Sequence, residues 1–302
     1  MFNNLMNIEL QSEPEVEILQ DSISEWGKRI VTFRLKYWRA IHSEMMTHRV
    51  FSRNASSSRA RPIAKNIELI QKNPYGPMEW GMNQPGMVAE KQIDDQQKAA
   101  AKMLWITAAK SAAMCANALD NMKVHKQIAN RLLEPFMPIE VVLTSTEWSN
   151  FFKLRLAKDA QPEIQQLAQM MKKAMDESEP KKLKNGEWHL PFIKEEEKKD
   201  LEEFYKTITN SYDQQSLNRF FAKISAARCA RISYKCFDGT VNYQKDWDLA
   251  QRLKNDGHLS PFEHQATPLE PAFFEPDTNK CILPQSGNFV GWQQHRKLVE
   301  HE

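Results

Sequence analysis

An α+β fold, mostly helical with a small antiparallel sheet, is predicted by three features of this chain. Eight stretches read as helices and only two as strands. The strand-like segments are short, and the longest helical one is Ala-rich and free of Pro and Gly. Finally, the 302 residues hold only 9 Gly, with no GxGxxG or GxxxxGK[ST] sequence, which argues against a Rossmann or P-loop domain.

Residues 1–27 are polar and acidic, carry Pro14, and read as an N-terminal extension. In Lys28-Arg-Ile-Val-Thr-Phe-Arg-Leu-Lys36, Val31, Phe33 and Leu35 face one way and Thr32 and Arg34 the other, the pattern of a half-buried strand. Trp38, Ile41, His42 and Met45 fall at helical spacing over 37–47. Residues 62–93 contain four Pro and three Gly and read as a long loop or lid. Asp94 and Asp95 open the Ala-rich helix at 94–121, where Met103, Leu104, Trp105 and Ile106 point in several directions. A helix apolar nearly all round must be covered on every side, so a homo-oligomer is expected.

A helix over about 123–134 ends near Pro135, and Ile139-Glu-Val-Val-Leu143 is a short strand. Ser145 is a candidate N-cap for a helix through about Lys158. Pro162 and Glu163 open another, through about Met175. Residues 177–200 are charge-rich, with Pro180 and Gly186, and read as a surface excursion. Helices follow at about 194–210, 214–231 and 246–256, the last stopped by Gly257. Residues 265–302 read as a tail, which after Pro268 is rich in Pro and aromatics and reads as irregular. The expected organisation is therefore one catalytic domain over 28–264, flanked by the extension and the tail.

A net charge of +2 is too small to imply a nucleic-acid polymer or a membrane surface as partner. No run approaches the ~18 apolar residues of a membrane span. The N-terminus lacks a basic region followed by an apolar one, so no signal peptide is expected. Cys115, Cys229, Cys236 and Cys281 are scattered without CxxC spacing, which suits reduced thiols in a cytoplasmic protein and disfavours a zinc site.

Three constellations carry chemistry. Residues 47–59 hold one His, three Arg, one Asn and five hydroxyl groups. So many anion-binding groups are costly to bury without a compensating ligand, and Arg presents a planar fork suited to phosphates and base edges. A solvated polar loop or an RNA-binding segment is the alternative. The second is Asn150-Phe-Phe-Lys-Leu-Arg155, in which Phe151 and Leu154 bury one face while Asn150 and Arg155 reach a neighbouring pocket. A surface Arg with a capping Asn reads equally from the residues alone. The third pairs Ala226-Ala-Arg-Cys-Ala-Arg-Ile-Ser233 with Gly257-His-Leu-Ser-Pro-Phe-Glu-His264. No third ligand has suitable spacing for a metal there, and structural histidines are the alternative.

Together these segments resemble the flavin-dependent thymidylate synthase (ThyX) family. Its signature is Arg-His-Arg followed at set spacings by Ser, Asn, Ser and Arg; here Thr47-His48-Arg49 precede Ser52, Asn54, Ser57 and Arg59. Thr32–Lys36 resembles the strand leading into the signature helix. Asn150–Arg155 with Ala160-Gln161 and Glu163-Ile164 resembles a second family block, and Arg131-Leu-Leu-Glu-Pro135 a third. The 226–264 block normally precedes the signature, so the chain resembles a circularly permuted, divergent member. That predicts that residues just after His264 approach the start of the strand near Arg29. Thr47, Glu44, Ala55 and Asp159 replace an Arg, a Gln, a Glu and a His of the family pattern.

The resemblance implies reductive methylation of dUMP to dTMP, with FAD, methylenetetrahydrofolate as carbon donor and NADPH as reductant, in a homotetramer whose sites are shared between subunits. By the same resemblance, Arg155 and Ser57 act closest to the chemistry. Glu44, Ser57, Ser58, Arg59, Arg131 and Arg155 bind the nucleotide. Thr47, His48, Arg49, Asn150, Leu154, Asp159, Ser233, His258 and Ser260 contact the flavin. A methylase or hydroxymethylase acting on dCMP is the alternative enzyme, and a non-catalytic nucleotide- or RNA-binding protein the alternative class.

Overall fold

The sheet begins earlier in the chain than its composition suggests. The computed structural model describes residues 9–209, 213–232, 242–270 and 286–300. In it β1 (Glu15–Ser24) runs antiparallel to β2 (Arg29–Trp38) through a turn in which Gly27 takes φ +78°. Residues 15–24 are thus part of the sheet rather than of an extension. Val16 and Ile18 pack on the core, but a register shift between Ile18 and Gln20 interrupts the alternation. Asp21 anchors the hairpin, accepting from Arg29 Nε and Nη2 at 2.9 and 2.6 Å.

The chain continues through α1 (His42–Met46), β3 (Ser52–Ala55), α2 (Ile63–Lys72), α3 (Asp95–Asn121), α4 (Lys126–Ala129), β4 (Pro138–Ser145), α5 (Ser149–Arg155), α6 (Pro162–Glu177) and β5 (Lys181–Leu183). Then come α7 (Lys198–Ile208), α8 (Gln214–Arg231), α9 (Tyr243–Asn255), β6 (Ala266–Pro268), β7 (Trp292–Gln294) and α10 (His295–Val299). The five-stranded sheet has the order β3-β4-β2-β1-β5. It is antiparallel except at its edge, where β5 pairs parallel to β1, so the sheet is mixed rather than purely antiparallel.

One face of the sheet holds Val31, Phe33 and Leu35 of β2 and Ile139, Val141 and Leu143 of β4. They pack on Phe151 of α5 and on Ile164, Leu167 and Met171 of α6. Burying each such side chain stabilises the fold by roughly 1.5–3 kcal/mol. The opposite face is covered as well. Ile30 packs with Leu183, Ala266, Phe289 and Trp292, and Val142 with Cys229 and Ile232 of the α8 end. Ala266, just after His264, and Ile30, at the start of β2, thus belong to one buried cluster.

Several local expectations change. Within 62–93, residues 63–72 form α2, because the Pro and Gly residues lie at Pro62 and from Pro74 onward while Ile63, Ile67 and Ile70 share a face. Residues 130–136 are 3-10 helix, with Pro135 inside it. Ser145 ends β4, where its Oγ accepts from Glu147 N at 3.0 Å, and α5 starts only at Ser149. The 177–200 segment contributes β5 and the fully buried His189.

His189 belongs to a buried polar chain on the second sheet face. Its Nδ1 meets Ser22 Oγ at 3.0 Å and its Nε2 meets Thr32 Oγ1 at 2.8 Å. Thr32 and Thr144 share a 2.7 Å hydrogen bond, and Thr144 Oγ1 meets His264 Nδ1 at 2.8 Å. Burial pushes both imidazoles down to about 3, with His264 adding repulsion at His189. Both rings are neutral in the fold, whereas the unfolded chain takes up protons near pH 6.5. Their contribution to stability is therefore complete above pH 6.5 and lost as pH falls toward 3, at up to about 2.7 kcal/mol per pH unit for the two together. Denaturant unfolding of His189→Gln between pH 7 and 4 should show a shallower acid loss than the parent; an unchanged slope contradicts the assignment.

Candidate active site

β3 sits on the outer edge of β4, with Ser52 opposite Thr144 and Ala55 opposite Val141. The 47–59 segment is therefore held at its middle by backbone pairing, and its two ends emerge at opposite ends of a strand about 13 Å long. Each end builds its own cluster.

At the first end, Arg155 from the last turn of α5 gathers the residues around α1. Its Nε donates to His48 Nε2 at 3.1 Å and its Nη1 to Glu44 Oε2 at 2.5 Å. Its Nη2 reaches Glu44 O at 3.4 Å and Thr47 Oγ1 at 3.3 Å. An acceptor Nε2 requires His48 to carry its proton on Nδ1. Burial lowers the His48 pKa, and the adjacent Arg155 and Arg53 guanidinium groups lower it further, so the neutral ring is the stable form. The ring lies edge to face with Phe151, centroids 5.0 Å apart. Arg53 holds the turn from behind, its Nη1 donating to His48 O at 3.0 Å. The signature pattern leaves that position unspecified, and only the fold shows that it clamps the end of α1.

Around this cluster the surface is open. Thr47, Arg49, Asn150 and Asp159 are exposed, as are the apolar Met46, Val50 and Leu154. A mix of apolar surface, cations and short polar groups fits a large planar ring bearing phosphates, so this donor set suits a flavin nucleotide.

At the second end, Glu134 is the centre. It accepts from Ser58 Oγ in a short contact and from Arg131 Nη1 at 2.8 Å, and it forms an ion pair with Arg39 Nη2 at 3.4 Å. The buried Asn130 fixes the turn, its Nδ2 donating to Ser58 O at 2.8 Å and to Arg61 O at 3.0 Å. Ser57 is half-buried, while Arg59 and Arg131 are exposed. Arg39 escapes a sequence reading because nothing but proximity in space marks it, and Glu134, inside the Arg131–Pro135 block, takes its role only from the fold.

The third constellation comes to the same edge. Gln294 Nε2 donates to both Ser52 Oγ, at 3.2 Å, and Glu263 O, at 3.1 Å, tying β3 to the 3-10 turn Ser260–Glu263. His258 and Ser260 are exposed on that side. Arg228 is not at this edge. It is buried between Glu197 and Asp246, with contacts of 2.7 and 3.0 Å, and locks α8 to α9. Ser233 lies outside the described residues. Among the described residues no group of His, Cys, Asp and Glu is arranged to hold a metal ion.

Residues 27–181, slightly more than half of the chain, match the sequence model of the "Thymidylate synthase complementing protein" family. The chain belongs to this family, that of the flavin-dependent thymidylate synthases, whose members are methyltransferases acting at C5 of a pyrimidine nucleotide. Two similar solved structures are of a UMP/dUMP methylase, PolB, from Streptomyces cacaoi. The form bound with 5-Br UMP is 19% identical, with a TM-score of 0.46 over 56% of this chain and 91% of that one. The form bound with 5-Br dUMP is 18% identical, with a TM-score of 0.43 over 56% and 92%. No curated protein matches the chain.

The His48–Arg155 contact is open to a direct check. In Arg155→Ala the cation beside the ring is gone, so the His48 pKa should rise relative to the parent yet stay below the ordinary 6.5, because burial remains. Imidazole titration by NMR reads this, and an unchanged His48 pKa contradicts the placement of Arg155.

Proposed function

We propose that the chain transfers a one-carbon unit from methylenetetrahydrofolate to C5 of a pyrimidine deoxynucleotide monophosphate, converting dUMP to dTMP with FAD and NADPH. The observation that carries this reading is the gathering of the signature residues into two clusters at the ends of one edge strand. When bound, the flavin supplies the hydride and the folate the carbon. The chain's own residues bind, orient and polarise. Arg59 and Arg131, exposed beside Ser57 and Ser58, hold the nucleotide phosphate. Thr47, His48, Arg49, Asn150 and Leu154, with His258 and Ser260, hold the flavin; Asp159 stands at the rim. Arg155 spends most of its fork on Glu44, His48 and Thr47, so its part is to orient His48 and direct positive charge toward the nucleotide carbonyls.

Among the described residues, the two thiols fit a scheme without a cysteine nucleophile. The Cys229 sulfur is buried, and burial pushes its pKa up. Cys115 is exposed on α3, outside both clusters. Activation of C5 then rests on polarisation of the ring.

The open surface around Arg155 also supports sites completed by another subunit. Met46, Val50 and Leu154 are 46%, 40% and 49% exposed, and Leu104 of α3 is 72% exposed. Apolar area of this kind is covered on assembly, in keeping with a homotetramer. Light scattering should report the tetramer, and a stable monomer with full flavin occupancy contradicts shared sites.

One observation favours dCMP as the alternative base: Glu44 presents a carboxylate at the first cluster, and a carboxylate accepts from the cytosine amino group. Side-by-side assays of dUMP and dCMP with methylenetetrahydrofolate and NADPH separate the two. We expect a yellow protein that turns over dUMP, and Arg59→Ala that keeps its flavin but binds nucleotide at least ~30-fold more weakly, as loss of a charged contact of ~2–5 kcal/mol requires. A protein that takes up no flavin and turns over neither nucleotide refutes the assignment.

A further inference from the structure

A cleft of about 690 Å³ opens on the sheet face opposite α5 and α6, between β5, the 185–190 segment, the first turns of α8 and the β6–β7 pair. It shares no lining residue with the two clusters around β3, and all of its lining lies at or beyond residue 181, where the family match ends. Its volume falls within the roughly 300–1,000 Å³ of small-molecule sites.

The described lining residues include three cations, Lys181, Lys198 and Arg219, and one carboxylate, Glu187; Arg219 itself lies in the field of Asp213. Glu187 is already engaged, accepting from Lys184 N at 2.8 Å. Lys181 and Lys198 donate to the same Glu195 oxygen, at 2.5 and 2.9 Å, so one carboxylate serves two ammonium groups and positive charge is left over. Trp188 supplies ring surface in the same cleft, and Gln215 an amide. These groups match the parts of one ligand class. Ammonium and guanidinium groups pair with phosphates, an indole face stacks with a base, and an amide pairs with a base edge.

We propose that this cleft is a second nucleotide site, taking a free nucleotide phosphate with its phosphates at Lys181 and Lys198 and its base toward Trp188. The test uses the full chain and the fluorescent probe N-methylanthraniloyl-ATP, with ATP and inorganic pyrophosphate as competitors. Lys181 and Lys198 side chains are 49% and 31% exposed, so K181E/K198E should fold as the parent does, and an unchanged thermal midpoint checks this. Probe affinity should fall about tenfold or more in K181E/K198E, fall also in Trp188→Leu, and stay at the parental value in Arg59→Ala. Pyrophosphate should displace the probe, and added salt should weaken it.

Equal affinity in the parent and K181E/K198E overturns the proposal, as does loss of binding in Arg59→Ala or no binding at all up to about 1 mM. Tighter displacement by oligo-dT than by ATP, at equal phosphate concentration, assigns the cleft to a nucleic-acid strand instead. A changed oligomeric state of K181E/K198E on size exclusion assigns it to a subunit contact. Either result also overturns the proposal.

Discussion

The pairing of β2 with β4 is the constraint on which the rest of the structure depends. The two strands are in register from Val31 opposite Ser145 to Trp38 opposite Pro138, and every residue of β4 is buried. Around Thr32 and Thr144, both fully buried, the pair is covered on both faces, and no solvent is there to satisfy the hydroxyls, so these must find partners inside. Thr32 and Thr144 do so through each other and through His189 and His264. A slip of one residue would turn these hydroxyls into the aliphatic core and drive Phe33 and Leu143 against the imidazoles. The apolar face and the polar chain therefore enforce the same register from opposite sides.

The site inherits its geometry from that register. β3 adds to the free edge of β4, and the residues before and after it are delivered to the two ends of a four-residue strand. Neither cluster needs a long loop to reach its place. Arg53 and Asn130 bond to backbone carbonyls on either side of β3, which makes the turns at both ends rigid before any ligand arrives. This is preorganisation in its simplest form: donors held by the protein rather than ordered by the ligand.

The charges are distributed unevenly between the clusters. At Glu44, His48 and Arg155 each group already has an internal partner, and the neutral form of His48 is favoured by burial and then by the two cations around it. At the other end Arg131 donates to Glu134 at 2.8 Å, while both it and Arg59 lie exposed at the surface, where an incoming phosphate can reach them.

Much of this was legible in the residues. Alternation at Val31, Phe33 and Leu35 marked β2, and Asp94 with the Ala run marked α3. The ordered blocks at 47–59, 131–135 and 150–155 carried the family and the candidate site, because local periodicity and fixed spacing are properties a linear string can hold. Other features needed three dimensions. β1 is hidden by its bulge and polar residues, and α2 by the Pro and Gly residues around it. His189, in a stretch that reads as charged surface, becomes the centre of the second sheet face. The Glu44–Arg155 pair and the meeting of Ser58, Arg39 and Arg131 at Glu134 join residues up to 111 positions apart. Their partners are chosen by strand order and register, and those depend on which faces can be buried together rather than on any short segment.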